Sequence, residues 1–244
     1  MARRRFFVPR DSIRDGTAVL SADQAHHLKN VLRIRAGEVV EIFDGEGHEF
    51  TGEVEWRHTG VRIRGLQILP VRESSRRLIL AAALIKSAKF EWMLQKATEL
   101  GVDEILPLNT RFSDLRIPMG KIALRLDRWN RIVREASKQS RRVTVPQMHP
   151  PLNISDFLLS ESLTSCARFL FYEKSRELWQ PDSGMLSNGV VLCIGPEGGW
   201  DESEITQAKD AGYKVFGLGH RILRAETAAI AALSIVQHHL GFPA

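Results

Sequence analysis

The sequence predicts an α/β protein with a small β-rich, barrel-like region in front of it. Three observations predict this. Residues 1–72 carry short runs of alternating and β-branched residues and only one helical pattern. Beyond residue 73, continuous apolar runs alternate with amphipathic helical patterns, the texture of a parallel sheet covered on both faces. Two of the later runs end in glycine-bearing loops, at the strand ends where open parallel sheets bind ligands. The chain has 244 residues, 43% of them hydrophobic, enough to bury one large core or two smaller ones.

In the first region, residues 39–43, 50–56 and 61–69 read as strands. "DGEG" at 44–47 is a hairpin turn signal. A short helix lies between residue 21 and residue 32: Ser21 caps it, Gln24 completes a capping box, and Ala25, Leu28, Val31 and Leu32 form its apolar face. Residues 70–77, "PVRESSRR", are polar and patternless and read as a linker, so the domains are expected at 1–72 and 73–244. In the second, strands are expected at 78–84, 104–108, 168–172, 190–194 and 214–218. A helix over 89–100 turns Phe90, Leu94, Ala97 and Leu100 inward and stops at Gly101. A basic helix over 122–137 turns Trp129, Val133 and Ala136 inward, another helix starts at Glu202, and a last one runs from 226 to 240 before Gly241.

No apolar run approaches the ~20 residues of a membrane helix. "MARRRFFVPR" lacks the apolar stretch of a secretory signal. Cys166 and Cys193 sit in apolar strand contexts and have no metal-ligand spacing, so reduced buried thiols, no metal and a cytoplasmic location are expected. Net charge is +5, but between Arg111 and Arg142 ten Lys and Arg face only three acids. That concentration suits a polyanion such as nucleic acid, or a solvated helix face.

The first glycine loop is "GPEGG" at 195–199, and Asp201 after it caps the next helix with Glu204 in capping-box position. It has neither the Gly-Lys-Ser/Thr of a P-loop nor the G-x-G-x-x-G of a dinucleotide site. Its acidic character disfavours phosphate and favours hydroxyls, an amine or a cation near Glu197. Read alone, it is equally a tight turn. The second loop starts at Gly219 and carries His220, Arg221 and Arg224 beside Ile222 and Leu223. Together the two loops can form one pocket, with backbone to bond a base edge and ribose and aliphatic side chains to sandwich a ring.

"IGPEGGWDESEI" (194–205) followed by "LGHRILRAETAAIAAL" (218–233) resembles the signature of the knotted SPOUT RNA methyltransferases. More narrowly, it resembles the RsmE family, which methylates N3 of a uridine in the decoding region of 16S ribosomal RNA. "KFEWMLQKATELGVDEILPL" (89–108) and "EASKQSRRVTVP" (135–146) agree with it, and "VLRIRAGE" and "IFDGEG" in the first region resemble the family's PUA-like barrel. Where the family usually reads Glu-Gln-x-Gly-Arg, this chain reads "KQSRR": Gln139 and Arg142 match, while Lys138 and Arg141 replace the acid and the glycine.

The resemblance implies a trefoil-knot domain that binds S-adenosylmethionine, a homodimer, and 16S rRNA within the small ribosomal subunit as partner. The implied cofactor residues are Tyr172 and Glu173 in one loop and Ile194, Gly195, Pro196, Glu197, Gly198 and Gly199 in the next. Leu218, Gly219, Ile222, Leu223, Arg224 and Thr227 complete them. Arg224 is the candidate cation for a uridine anion, or else a structural ion pair. Glu226 is the candidate proton acceptor, or an acid placed to suit a helix start. Candidate RNA contacts are Arg3, Arg4 and Arg5 before two phenylalanines, Arg33 and Arg35, Lys86, Arg128 and Arg131, and Lys138, Gln139, Arg141 and Arg142. Each of these could instead be a solvated surface charge. Ribose 2′-O-methylation and RNA binding without catalysis are the competing functions.

Overall fold

The structure, a computed structural model, describes residues 4–70, 76–181, 184, 186 and 188–240. Arg3, most of the linker and Gly241 lie outside the described residues. The chain divides into two compact units, one of residues 1–73 with 137–145 and one of 74–136 with 146–244.

The first unit is a six-stranded sheet. Its strands are β1 (Arg5–Phe7), β2 (Ile13–Arg14), β3 (Thr17–Val19), β4 (Val39–Phe43), β5 (Glu49–Arg57) and β6 (Gly60–Leu69), in the order β1-β4-β5-β6-β3-β2. Alternation drives Val40, Ile42, Val54, Val61 and Ile63 to one side, where Phe6, Val8 and Leu28 close the core. The "DGEG" turn joins β4 to β5, with Gly45 and Gly47 at positive φ and Asp44 accepting from the Glu46 and His48 amides. Helix α1 (Ala22–Asn30) has the Ser21–Gln24 capping box. Leu28 is buried, whereas Val31, expected on the same face, is 62% exposed because the helix ends there.

The second unit is an all-parallel sheet. β7 (Leu78–Ala83), α2 (Ser87–Glu99), β8 (Glu104–Asn109) and α3 (Ile122–Gln139) come first, α3 running into the first unit at Ser137. β9 (Gln147–Met148), β10 (Leu152–Asn153) and α4 (Ile154–Leu158) follow. Then come β11 (Ala167–Phe171), β12 (Val190–Ile194), α5 (Glu202–Asp210), β13 (Lys214–Phe216) and α6 (Ala225–Leu240). The strand order is β10-β8-β7-β12-β11-β13, with β9 also on β8. β7 and β12 are buried at every position, as continuous apolar runs in a two-sided parallel sheet must be. Trp129, Val133 and Ala136 of α3 are buried as their spacing predicts, and Trp129 packs on Phe90 at 5.0 Å between ring centroids. Gly101 ends the turn after α2 at φ +83, a conformation glycine adopts at no steric cost.

Register fixes where the loops emerge. Phe171 of β11 lies beside Ile194 of β12 and beside Phe216 of β13. Three strands therefore stop at one level, and the segments starting at 172, 195 and 217 leave the same sheet edge side by side.

Candidate active site

Those three segments line one open cleft. Tyr172 and Glu173 line it from the first segment, Ile194, Gly195, Pro196 and Gly199 from the second, and Leu218, Gly219 and Leu223 from the third. The sequence pointed to all nine. Phe171, Trp200, Arg221, Ala225 and Ala228 also line it and were not among the candidates. Trp200 had a signal: it is the one large aromatic directly after the glycine loop. Glu197, Gly198, Ile222, Arg224 and Thr227 do not line the cleft; Ile222 is 85% exposed beside it.

Backbone and side chains tie the segments together. The Trp200 indole Nε1 donates to the Phe171 carbonyl at 2.8 Å, joining the second segment to the end of β11. A Cβ on Gly195 would stand 2.8 Å from that indole nitrogen, so the buried tryptophan requires glycine there. The Tyr172 amide donates to the Phe216 carbonyl, the Gly217 amide donates to the Glu177 carbonyl, and the Gly217 carbonyl accepts from the Trp179 amide. A Cβ on Gly217 would lie 2.9 Å from the Ser175 carbonyl oxygen, so this crossing also excludes a side chain. Gly199 has φ +76 and packs under the Glu173 carboxylate. Burial, then its bond to Glu202 at 2.6 Å, push the Tyr172 hydroxyl's pKa up, so it stays a neutral donor.

Past the glycine loop, Asp201 caps α5 through the Ser203 amide, and buried Glu204 accepts from the Asp201 and Arg111 amides at 2.9 Å each. The capping box read from the sequence thus also anchors the segment after β8. The Lys89 ammonium forms an ion pair with Glu197 and holds its carboxyl below the ordinary glutamate range. Arg224 is exposed, and no side-chain bond joins it to another of the described residues. Glu226 is mostly buried in the first turn of α6.

The RNA candidates divide by burial. Arg4, Arg33, Arg35, Lys86, Arg131 and Gln139 are exposed, and Lys138 is half-buried. Arg128 is exposed but bound by Glu91 at 2.5 and 2.7 Å. Arg5 is not offered to a ligand. It is 8% exposed, donates to Glu49 at 2.6 Å and to the Arg142 carbonyl at 2.7 Å, and lies 3.9 Å from the Phe43 ring centroid. Arg142 is also buried and donates to the Thr144 hydroxyl at 2.8 Å. Both are structural groups of the first unit, and the expectation of RNA contact fails for them because burial leaves no room for a phosphate. Arg141, at the position of the family glycine, sits at φ +62 and pairs with Glu41 at 2.7 Å. Left-handed backbone of that kind costs a non-glycine residue roughly 1–2 kcal/mol.

Comparison with known proteins agrees with this geometry. Residues 72–237 match the model of the RNA methyltransferase domain family, and residues 20–55 match the RNA methyltransferase PUA domain. A ribosomal RNA small subunit methyltransferase E of Synechocystis is 32% identical over 94% of this chain and 76% of its own length. The protein of the same name from Mesomycoplasma hyopneumoniae is 35% identical over 66% of this chain and 70% of its own. Among solved structures, a ribosomal RNA small subunit methyltransferase E from Neisseria gonorrhoeae bound to S-adenosyl methionine superposes with a TM-score of 0.86 at 30% identity, covering 97% of this chain and 98% of that one. The chain belongs to the ribosomal RNA small subunit methyltransferase E family.

Proposed function

We propose that this protein transfers a methyl group from S-adenosylmethionine to N3 of a uridine in the decoding region of 16S rRNA. It acts as a homodimer on the small ribosomal subunit during its maturation. Family membership makes it an S-adenosylmethionine-dependent rRNA methyltransferase. The observation that carries the reading is the cleft at the carboxyl ends of β11, β12 and β13, built from two glycine loops and the segment that starts at Tyr172. Its apolar wall of Ile194, Leu218 and Leu223 suits an adenine ring.

When bound, S-adenosylmethionine supplies a methyl group already made electrophilic by the sulfonium. The protein's task is alignment and removal of one proton. Methylation at N3 would displace that nitrogen's proton, which the protein must take up. Glu226 is the proposed acceptor. Arg224, exposed at the cleft's edge and always cationic, faces the charge that spreads over O2 and O4. Arg4, Arg33 and Arg35 of the PUA-like domain at 1–72 and Arg131 of the catalytic domain at 73–244 hold phosphates. The target base leaves its stack to reach the cleft.

Nucleoside mass spectrometry tests this reading. Ribosomal RNA from a strain lacking the enzyme, incubated with the protein and S-adenosylmethionine, is digested to nucleosides. The proposal requires 3-methyluridine; a 2′-O-methylated nucleoside would support ribose methylation instead, and no product would support binding without catalysis.

A further inference from the structure

Helix α2 begins against the charge rule. The positive end of a helix favours acids in its first turn. α2 has none there: Lys86 occupies the N-cap without a side-chain cap bond, and Lys89 lies in the first turn. A local rule broken without local gain points to a use elsewhere.

The gain lies outside the helix. The Lys89 Nζ pairs with Glu197 of the glycine loop and stands 3.9 Å from Glu226 Oε1 at the start of α6. One ammonium thus reaches an acid on the glycine loop and an acid in the first turn of α6. Stability does not account for it, because partly exposed ion pairs contribute about 0–1 kcal/mol. The second Glu226 oxygen, Oε2, is buried and has no hydrogen-bond partner among the described residues. Leaving such an oxygen without a donor costs roughly 1–3 kcal/mol, so Glu226 is kept in place at a cost to stability.

We propose that Lys89 is a positioning residue for methyl transfer: its ammonium holds the Glu226 carboxylate at the start of α6 and locks the Glu197 loop to the same point. This rests on the reading of Glu226 as proton acceptor. The test compares Lys89→Met, Lys89→Arg, Glu226→Gln and the Lys89→Met/Glu226→Gln double variant for kcat, KM and calorimetric affinity for S-adenosylhomocysteine. Lys89→Met should lower kcat about tenfold or more, within the range of a misplaced acid–base group. Its affinity for S-adenosylhomocysteine should stay within about threefold of wild type, which also shows that the variant folds. Lys89→Arg should recover most of kcat, and the double variant should lose no more than Glu226→Gln alone, as for residues acting as one unit. Wild-type kcat in Lys89→Met overturns the proposal while the function stands, and so do losses that multiply in the double variant. A fully active Glu226→Gln removes the acceptor itself and this proposal with it, and failure of the wild type to bind S-adenosylhomocysteine is read separately in the same calorimeter.

Discussion

Arg5 and Arg131 carry the same side chain in similarly basic stretches and do different work, because burial decides what an arginine can reach. Arg5 lies under the first unit's own carbonyls, whereas Arg131 faces solvent. Residue type reveals neither; only the path of residues 137–142 over β1 does. Glycine was more legible. Two glycine loops at strand ends announced close approach, and the structure supplies the neighbours, an indole against Gly195 and a carbonyl against Gly217. Arg224 carries the first prediction at this scale. Its guanidinium does not line the cleft, so Arg224→Ala should leave affinity for S-adenosylmethionine within a few-fold. It should lower kcat roughly 100-fold, the typical cost of removing one group that stabilises transition-state charge. Calorimetry and steady-state kinetics on the same preparation measure both, and unchanged turnover removes Arg224 from the mechanism.

At the scale of elements, long periodic segments were legible and short ones were not. α3, β7 and β12 declare themselves through spacing or unbroken hydrophobicity. β2, β9 and β10, two residues each, are too short for any period to show and exist because a neighbouring strand offers hydrogen bonds. The basic face of α3 suits either RNA or solvent by its charge alone, and the pairing of its arginines differs along it. Glu91 already engages Arg128, and Arg125 at 3.8 Å, while Arg131 faces solvent. Arg131→Glu should therefore weaken binding to 16S rRNA more than Arg128→Glu. It should also reduce the slope of log affinity against log salt by about one, the signature of a lost phosphate contact. Filter binding across a salt series distinguishes the two, and equal slopes for wild type and Arg131→Glu would make this face a solvated one only.

For the whole molecule, the change of texture places a boundary at the linker, and the two units of the structure set residues 137–145 with the first part, which no local texture announces. No local pattern encodes a long-range docking, and none encodes the threading of a knot, which came from family resemblance alone. Stability of the second unit has a pH-dependent element at Glu104. Burial works to raise its pKa, but bonds from Arg77 and from His149 Nε2 at 3.0 Å more than offset this, so the carboxyl titrates below the ordinary range. A depressed folded-state pKa gives stability that is complete above the ordinary glutamate value, about 4.3, and lost as pH falls through the folded value. Glu104→Gln should cost about 1–2 kcal/mol at pH 7, and the difference should shrink as pH falls through the folded value, read from urea midpoints across an acid series.

The central claim is that the segments after β11, β12 and β13 form the cofactor site. Titration of S-adenosylmethionine into the wild type and into Gly195→Ala tests it most directly, because the added methyl would collide with the Trp200 indole that lines the cleft. The account predicts one site per chain in the wild type and at least about a tenfold loss, 1.4 kcal/mol, in the variant, with its cooperative unfolding retained. Equal affinity in the two proteins would place the cofactor elsewhere and contradict the account.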